Sequence, residues 1–274
     1  KFKIYLSSFS ESGKYVAETY YYLGTSYLVV NDSVNGIEKY KLFLARTTNS
    51  YSETAARKVA RYYYLQKDYT TALSYYEKLE TLATTPSIVF IARFGIMRSA
   101  YFIEDYLKSK EYSALVLESP ELDNTQEAEA KYAMGISAYR LTMYEEAIAP
   151  LRWLVGNTTT FMGSEAKYTL AYIYFAQANM EASRKEINEL LKRKPSYDYW
   201  IAKVLVLKSR IFVVEEDYVQ AEQNLKSVKE HYPIQDDGVI DEANALWQEI
   251  LLLKEAEEKK EEETPETKIE INEE

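Results

Sequence analysis

The chain has 274 residues and a formal net charge of −10, and it contains no Cys and a single His. The missing thiols exclude disulfides and Cys-based sites, and one His cannot build a His-based metal site or most nucleophile-and-base pairs. An acidic chain of this kind also lacks the basic surface that nucleic acid or an anionic membrane would require.

The sequence favours helices, because only 8 Gly and 6 Pro interrupt it, whereas a β-sandwich needs turn residues every few positions. Apolar runs such as those at 88–92 and 114–117 are far shorter than the roughly 20 residues of a membrane-spanning helix. Residues 1–10 are expected to end the second helix of a preceding repeat, since KFKIYLSSF is similar to KYKLFLART at 39–47. We therefore expect a longer parent protein.

A small residue recurs down the chain at a nearly constant period. It stands at Gly24, Ala60, Gly95, Gly135, Ala171 and Ser209, with steps of 36, 35, 40, 36 and 38 residues. Three residues later stand Tyr27, Tyr63, Arg98, Ala138, Tyr174 and Phe212, of which four are aromatic. This period indicates a stack of similar structural units.

A second pattern follows each small residue and predicts the second helix of each unit. A small residue and a large apolar one four positions later share one helix face at Ala72/Tyr76, Ala147/Leu151 and Ala221/Leu225, with weaker copies at Gly36/Tyr40 and Ser183/Ile187. The unit between Pro86 and Pro120 lacks this pair, so the sequence does not predict how its second helix packs.

These columns resemble the tetratricopeptide repeat (TPR) family, whose first-helix core Leu-Gly-x-x-Tyr stands in YYLGTSYL at 21–28. The resemblance implies an all-α, right-handed α-solenoid of about six helix-turn-helix repeats over residues 16–235. The irregular steps look like those of bacterial cell-envelope TPR proteins, which suggests the periplasm or cell envelope. Arrays that clamp a C-terminal carboxylate need Lys and Asn at groove positions that this chain does not fill.

The C-terminal region is predicted to close the array. Residues 236–258 begin with Asp236 or Asp237 as a helix N-cap and carry apolar residues at helical spacing from Ile240 to Leu253, so they predict a capping helix. Residues 259–274 form an acidic tail that we expect to be disordered. From Glu255 onward, ten Glu against three Lys give a net charge of −7.

No catalytic residue, metal site or cofactor is predicted. His231 is expected to interact with the end of its helix, and the carboxylates Asp236, Asp237 and Asp241 are expected to cap a helix, because they lack the alternating ligands of a calcium loop.

Binding is predicted on the first helices, which line a concave groove in the family. The expected partner-binding residues lie three positions before, one position after, or four or five positions after the recurring small residue of a unit. They are Tyr21, Arg57, Arg61, Tyr64, Tyr132, Ile136, Tyr139, Arg140, Tyr168, Tyr172, Phe175 and Arg210. Tyrosine and arginine are enriched at binding hot spots. The alternative is that some of these rings pack between neighbouring first helices.

The expected function is that of a non-catalytic scaffold that binds a peptide or partner protein in this groove, within a larger assembly. The alternative is a glycan-binding protein that stacks sugars on the groove tyrosines. Flat exposed rings would favour a glycan, whereas arginines interleaved among the rings would favour a peptide.

Overall fold

The computed structural model describes residues 1–9 and 13–263, and in these ranges it contains fourteen α-helices and no strand. The helices are α1 Phe2–Phe9, α2 Val16–Val29, α3 Ser33–Leu44, α4 Ser52–Leu65, α5 Tyr69–Leu82, α6 Pro86–Phe102, α7 Tyr106–Leu117, α8 Asn124–Arg140, α9 Tyr144–Asn157, α10 Phe161–Ala176, α11 Met180–Lys192, α12 Asp198–Val214, α13 Tyr218–His231 and α14 Val239–Glu263. The predicted all-α class is confirmed for this part of the chain. None of its helices has the length and apolar character needed to cross a membrane.

The chain divides into two compact units, unit 1 at Lys1–Leu154 and unit 2 at Val155–Glu274. Between α2 and α13 the helices follow one another as six pairs, from α2/α3 to α12/α13. The large side chains that are fully buried in unit 1 include Tyr40, Phe43 and Leu79, and those in unit 2 include Leu170 and Ile211.

The same turn joins the two helices of every pair. Its key residue has a positive φ near 60° and stands at Asn31, Lys67, Glu104, Thr142, Ala178 and Glu216. The N–H of the following residue donates a hydrogen bond to the carbonyl five positions back, as from Asp105 to Ala100 at 2.9 Å. This bond gives a partner to a carbonyl at the C-terminal end of the first helix. In five of the six turns that following residue is an Asp or Asn whose side chain caps the second helix. Each pair is therefore set by local backbone chemistry.

These turns correct the predicted repeat register. Counting back seven residues from each positive-φ position gives Gly24, Ala60, Met97, Gly135, Ala171 and Ser209. The predicted Gly95 was therefore wrong by two residues, and Met97 holds the column position in the third pair. Gly95 is small for a different reason, because a Cβ built there would lie 2.4 Å from a ring carbon of Tyr76 on α5.

In the third pair, the large and the small residue are exchanged between the positions that correspond to Gly135 and Leu151. In the fourth pair, a Cβ on Gly135 would lie 2.8 Å from Leu151 Cδ2, so a small first-helix residue faces a large second-helix one. The equivalent residues of the third pair are Met97 and Ser113, and both are buried. Ser113 Oγ donates to the Ser109 carbonyl at 2.7 Å. The bulk lies on the first helix instead, which explains why the second helix lacks the expected pattern.

The helix α14 covers the end of unit 2. Its buried residues Ala243, Leu246 and Ile250 form one core cluster with Leu225 and Val228 of α13. The helix runs to Glu263, five residues beyond the predicted boundary at 258. Residues 259–263 of the expected disordered tail are therefore helical, and residues 264–274 lie outside the described residues.

Candidate binding surface

The first helices of unit 1 carry arginine and aromatic side chains at the predicted ligand-facing positions. With the corrected register, α6 contributes Phe94, Arg98 and Tyr101 to this face. At the same offsets from Gly95 stand Ala92 and Ile96, and both are fully buried. The face therefore includes three α6 residues that sequence reasoning did not assign to it.

Arg98 connects the first helices of three successive pairs. Its guanidinium carbon lies 5.2 Å from the centroid of the Tyr64 ring on α4 and 4.9 Å from that of Phe94 on its own helix. Its Nη2 donates to Glu129 Oε1 on α8 at 2.8 Å. Both partners of this ion pair remain about one-third exposed, so the cation is held in place but still reaches solvent. Burial raises the pKa of Tyr64, whose hydroxyl stays protonated at neutral pH.

Two tyrosines continue this surface between α6 and α8. The Tyr101 and Tyr132 hydroxyl oxygens are 3.1 Å apart, and their ring centroids are 5.7 Å apart in a tilted arrangement. Both residues are half-buried. Tyr132 was predicted, whereas Tyr101 was missed because of the register error.

Arg57 and Arg61 line a cleft of about 490 Å³ together with Lys58 of α4, Tyr76 of α5 and Ile91 of α6. These five residues define the α4–α6 cleft. Neither predicted arginine forms an ion pair with any described residue, and both are exposed. Glu53, one turn before Arg57, instead accepts hydrogen bonds from the backbone N–H and hydroxyl of Thr84, at 3.0 and 2.8 Å.

Ile136 does not belong to the binding surface. It is 2% exposed, so the prediction that it contacts a partner is wrong. Arg61 and Arg98 hold the equivalent positions on α4 and α6 and keep solvent contact. A long arginine can cover the core with its stem and extend its head to solvent, whereas an isoleucine at the same position is simply buried.

The other predicted residues of unit 1 are partly engaged in packing. Tyr21 is half-buried against Tyr40 and Phe43, with ring centroids 5.5 Å away in each case. Tyr139 is half-buried and stacks on Tyr144 at 6.4 Å. Arg140 is exposed, with its guanidinium 5.9 Å from the ring of the adjacent Tyr139.

In unit 2 the predicted residues also have neighbours. The ring centroids of Tyr168 and Trp200 are 5.2 Å apart. The Lys203 Nζ lies 5.5 Å from the centroid of the Tyr168 ring. Lys203 is ion-paired with Glu242 of α14, and the Arg210 Nη2 lies 3.5 Å from the same carboxylate. The remaining pair, Tyr172 and Phe175, packs ring against ring at 6.4 Å. The role of these residues in partner binding stays a prediction.

The sequence matches no protein-family profile and no curated protein. Among solved structures, the chain is similar to YrrB, described as a TPR protein with an unusual peptide-binding site, with 16% identity and a TM-score of 0.52. That alignment covers 73% of this chain and 95% of YrrB. A TPR protein from Parabacteroides merdae ATCC 43184 aligns at 14% identity, covering 89% of this chain and 88% of that one, with a TM-score of 0.44. The likeness to YrrB shows that this chain has the predicted all-α TPR solenoid fold.

Proposed function

We propose that this TPR chain is a non-catalytic protein-interaction scaffold that holds a peptide or partner protein against the first helices of unit 1. The observation that carries the proposal is the position of Arg98, which is fixed by Tyr64, Phe94 and Glu129 yet still reaches solvent. A fixed arginine among aromatic rings loses little conformational entropy on binding and offers both apolar area and hydrogen bonds. The peptide-binding site described for YrrB supports the same class of function.

A peptide fits this surface better than the alternative glycan. Sugar stacking needs a ring face that is open to solvent. The rings near Arg98 are instead occupied: the guanidinium lies over Tyr64, Tyr69 stacks on Phe102 at 4.4 Å, and Tyr101 contacts Tyr132. Arginine interleaved with tyrosine favours a polypeptide ligand with acidic and apolar groups.

The cellular location is a separate proposal. We propose that the chain works in the periplasm or cell envelope of a bacterium as part of a larger assembly, on the strength of its resemblance to irregular TPR arrays from that compartment. Cell fractionation of the source organism, with the chain detected by antibody, tests this. Recovery in the cytosolic fraction alone would contradict it.

The scaffold proposal is tested with two arginines of the same helix. Arg98 and Arg93 both lie on α6, and each forms one ion pair at 2.8 Å, Arg98 with Glu129 and Arg93 with Glu80. Partners captured from native lysate with the wild-type chain are identified by mass spectrometry, purified and titrated against Arg98→Gln and Arg93→Gln. We expect Arg98→Gln to weaken binding about tenfold, whereas Arg93→Gln stays within about twofold. Equal affinity of both variants with the wild type would contradict the proposal.

A further inference from the structure

The α4–α6 cleft has a strong excess of positive charge. Arg57, Lys58 and Arg61 line it, and a second cavity of about 390 Å³ shares Arg61, Tyr76 and Ile91 with it and adds Arg98. Of the described residues, no Asp or Glu lines either cavity. Arg98 is neutralised by Glu129, whereas the three α4 cations form no ion pair with the residues that the structure describes. The cleft thus gathers three cations in a chain whose net charge is −10.

Tyr76 provides a hydrogen-bond donor at the same place. Its side chain is 8% exposed and lines both cavities, and its hydroxyl has no hydrogen-bond partner among the described residues. Burial raises the pKa of this hydroxyl to about 12, so it carries its proton at neutral pH. Gly95 leaves room for the ring, because a Cβ there would lie 2.4 Å from it.

We propose that the α4–α6 cleft binds the side-chain carboxylate of an Asp or Glu in an acidic partner peptide, held by Arg57, Arg61 and the Tyr76 hydroxyl. An arginine can hold a carboxylate with two parallel N–H···O bonds, and a buried neutral hydroxyl adds a third donor. Ile91 supplies an apolar wall for the neighbouring methylene groups. The assignment rests on the scaffold function proposed above and specifies the chemistry of its ligand.

The test uses three fluorescein-labelled synthetic peptides, each amidated at the C terminus so that no terminal carboxylate takes part. The first has the sequence Gly-Glu-Glu-Leu-Glu-Glu-Gly. The second replaces every Glu with Gln, and the third replaces the second Glu with phosphoserine. Fluorescence anisotropy measures binding to the full chain and to three variants. Arg61→Gln removes one cation, Tyr76→Phe removes only the hydroxyl, and Lys185→Gln is a control for net charge at an exposed residue of α11.

We expect the Glu peptide to bind with a Kd below about 1 mM and the Gln peptide to bind at least about tenfold more weakly. Arg61→Gln should weaken the Glu peptide about tenfold and Tyr76→Phe about threefold, with Lys185→Gln unchanged. Equal binding of the Glu and Gln peptides, or wild-type affinity of both cleft variants, would overturn the assignment. A phosphoserine peptide that binds tenfold tighter with the same variant dependence would assign the cleft to phosphate instead.

The two proposals fail separately. If the captured natural partner still depends on Arg98 while the Glu peptide shows no dependence on Arg61 or Tyr76, only the carboxylate site is wrong. If the partner does not depend on Arg98, the scaffold surface itself is wrong, whatever the peptides show.

Discussion

A Cβ at position 95 would lie 2.4 Å from the Tyr76 ring, so only glycine allows α5 and α6 to pack as they do. The ring is buried and cannot swing into solvent without opening the core of unit 1. We therefore predict that Gly95→Ala destabilises the chain by about 1 to 3 kcal/mol through overpacking. Urea unfolding followed by circular dichroism measures this.

The matched control is Gly156→Ala on α9. No atom lies within 4 Å of a Cβ built at Gly156, and alanine is the better helix former, so this variant should be neutral or up to about 1 kcal/mol more stable. If Gly95→Ala left the free energy of unfolding as little changed as Gly156→Ala does, the close packing of Tyr76 on Gly95 would be contradicted.

The exchange of large and small residues in the third pair predicts a compensating pair of substitutions. Met97→Ala should create a cavity and cost about 2 to 5 kcal/mol, and Ser113→Leu should overpack by about 1 to 3 kcal/mol. The double variant has a small residue on the first helix and a large one on the second, as Gly135 and Leu151 do in the fourth pair. Its loss of stability should therefore be smaller than the sum of the losses of the two single variants. Denaturant unfolding of the four proteins gives the interaction energy, and simple additivity would show that residues 97 and 113 do not face each other.

A third prediction concerns the buried ammonium of Lys167 in unit 2. Its Nζ lies 2.6 Å from Glu186 and also pairs with the more exposed Glu189. Lys167→Met would leave the buried Glu186 carboxylate without a cation and should cost about 3 to 5 kcal/mol at neutral pH. Glu189→Gln should cost less than about 1 kcal/mol, because solvent screens that partner.

The pH dependence of the Glu189 contribution has a defined sign. The hydrogen bond from Lys167 lowers the pKa of Glu189 below its ordinary 4.5, so the folded state favours the carboxylate. Its stabilisation is therefore complete above pH 4.5 and is lost as the pH falls through the lowered pKa. Urea unfolding at neutral pH and at successively lower pH below 4.5 should show that the deficit of Glu189→Gln shrinks as the pH falls. A deficit independent of pH would contradict the ion pair.

The last prediction separates the capping part of α14 from its charged extension. Among the helix residues whose burial the structure describes, Ile250 is the last buried one, because those that follow it up to Lys260 are exposed or half-buried. A chain ending at Lys254 should melt within about 2 °C of the full chain, whereas one ending at Glu242 loses Ala243, Leu246 and Ile250 and should melt at least about 10 °C lower. A large drop in melting temperature for the chain that ends at Lys254 would show that the acidic extension is part of the fold.

Much of the fold could be predicted because its signals are local. The helix pairs follow from helical spacing of apolar residues, few chain breakers and capping residues in the turns. The third pair was misplaced because Gly95 has the expected size, although the Asp-Tyr that begins a second helix at 68–69 and 217–218 recurs at 105–106 and could have fixed the register. That signal would have brought Arg98 into the predicted surface.

The helical class, the repeat period and the presence of arginine and tyrosine on the first helices could be predicted because they depend on residues close together in the chain. Which of those side chains remain available for binding depends on contacts between residues that are distant in the chain. Arg98 meets Glu129, which is 31 residues away, and Gly95 meets Tyr76 from the preceding pair, whereas Arg57 and Arg61 pair with no carboxylate of the described residues. Such contacts depend on how one helix pair packs on the next, and no local pattern encodes that packing.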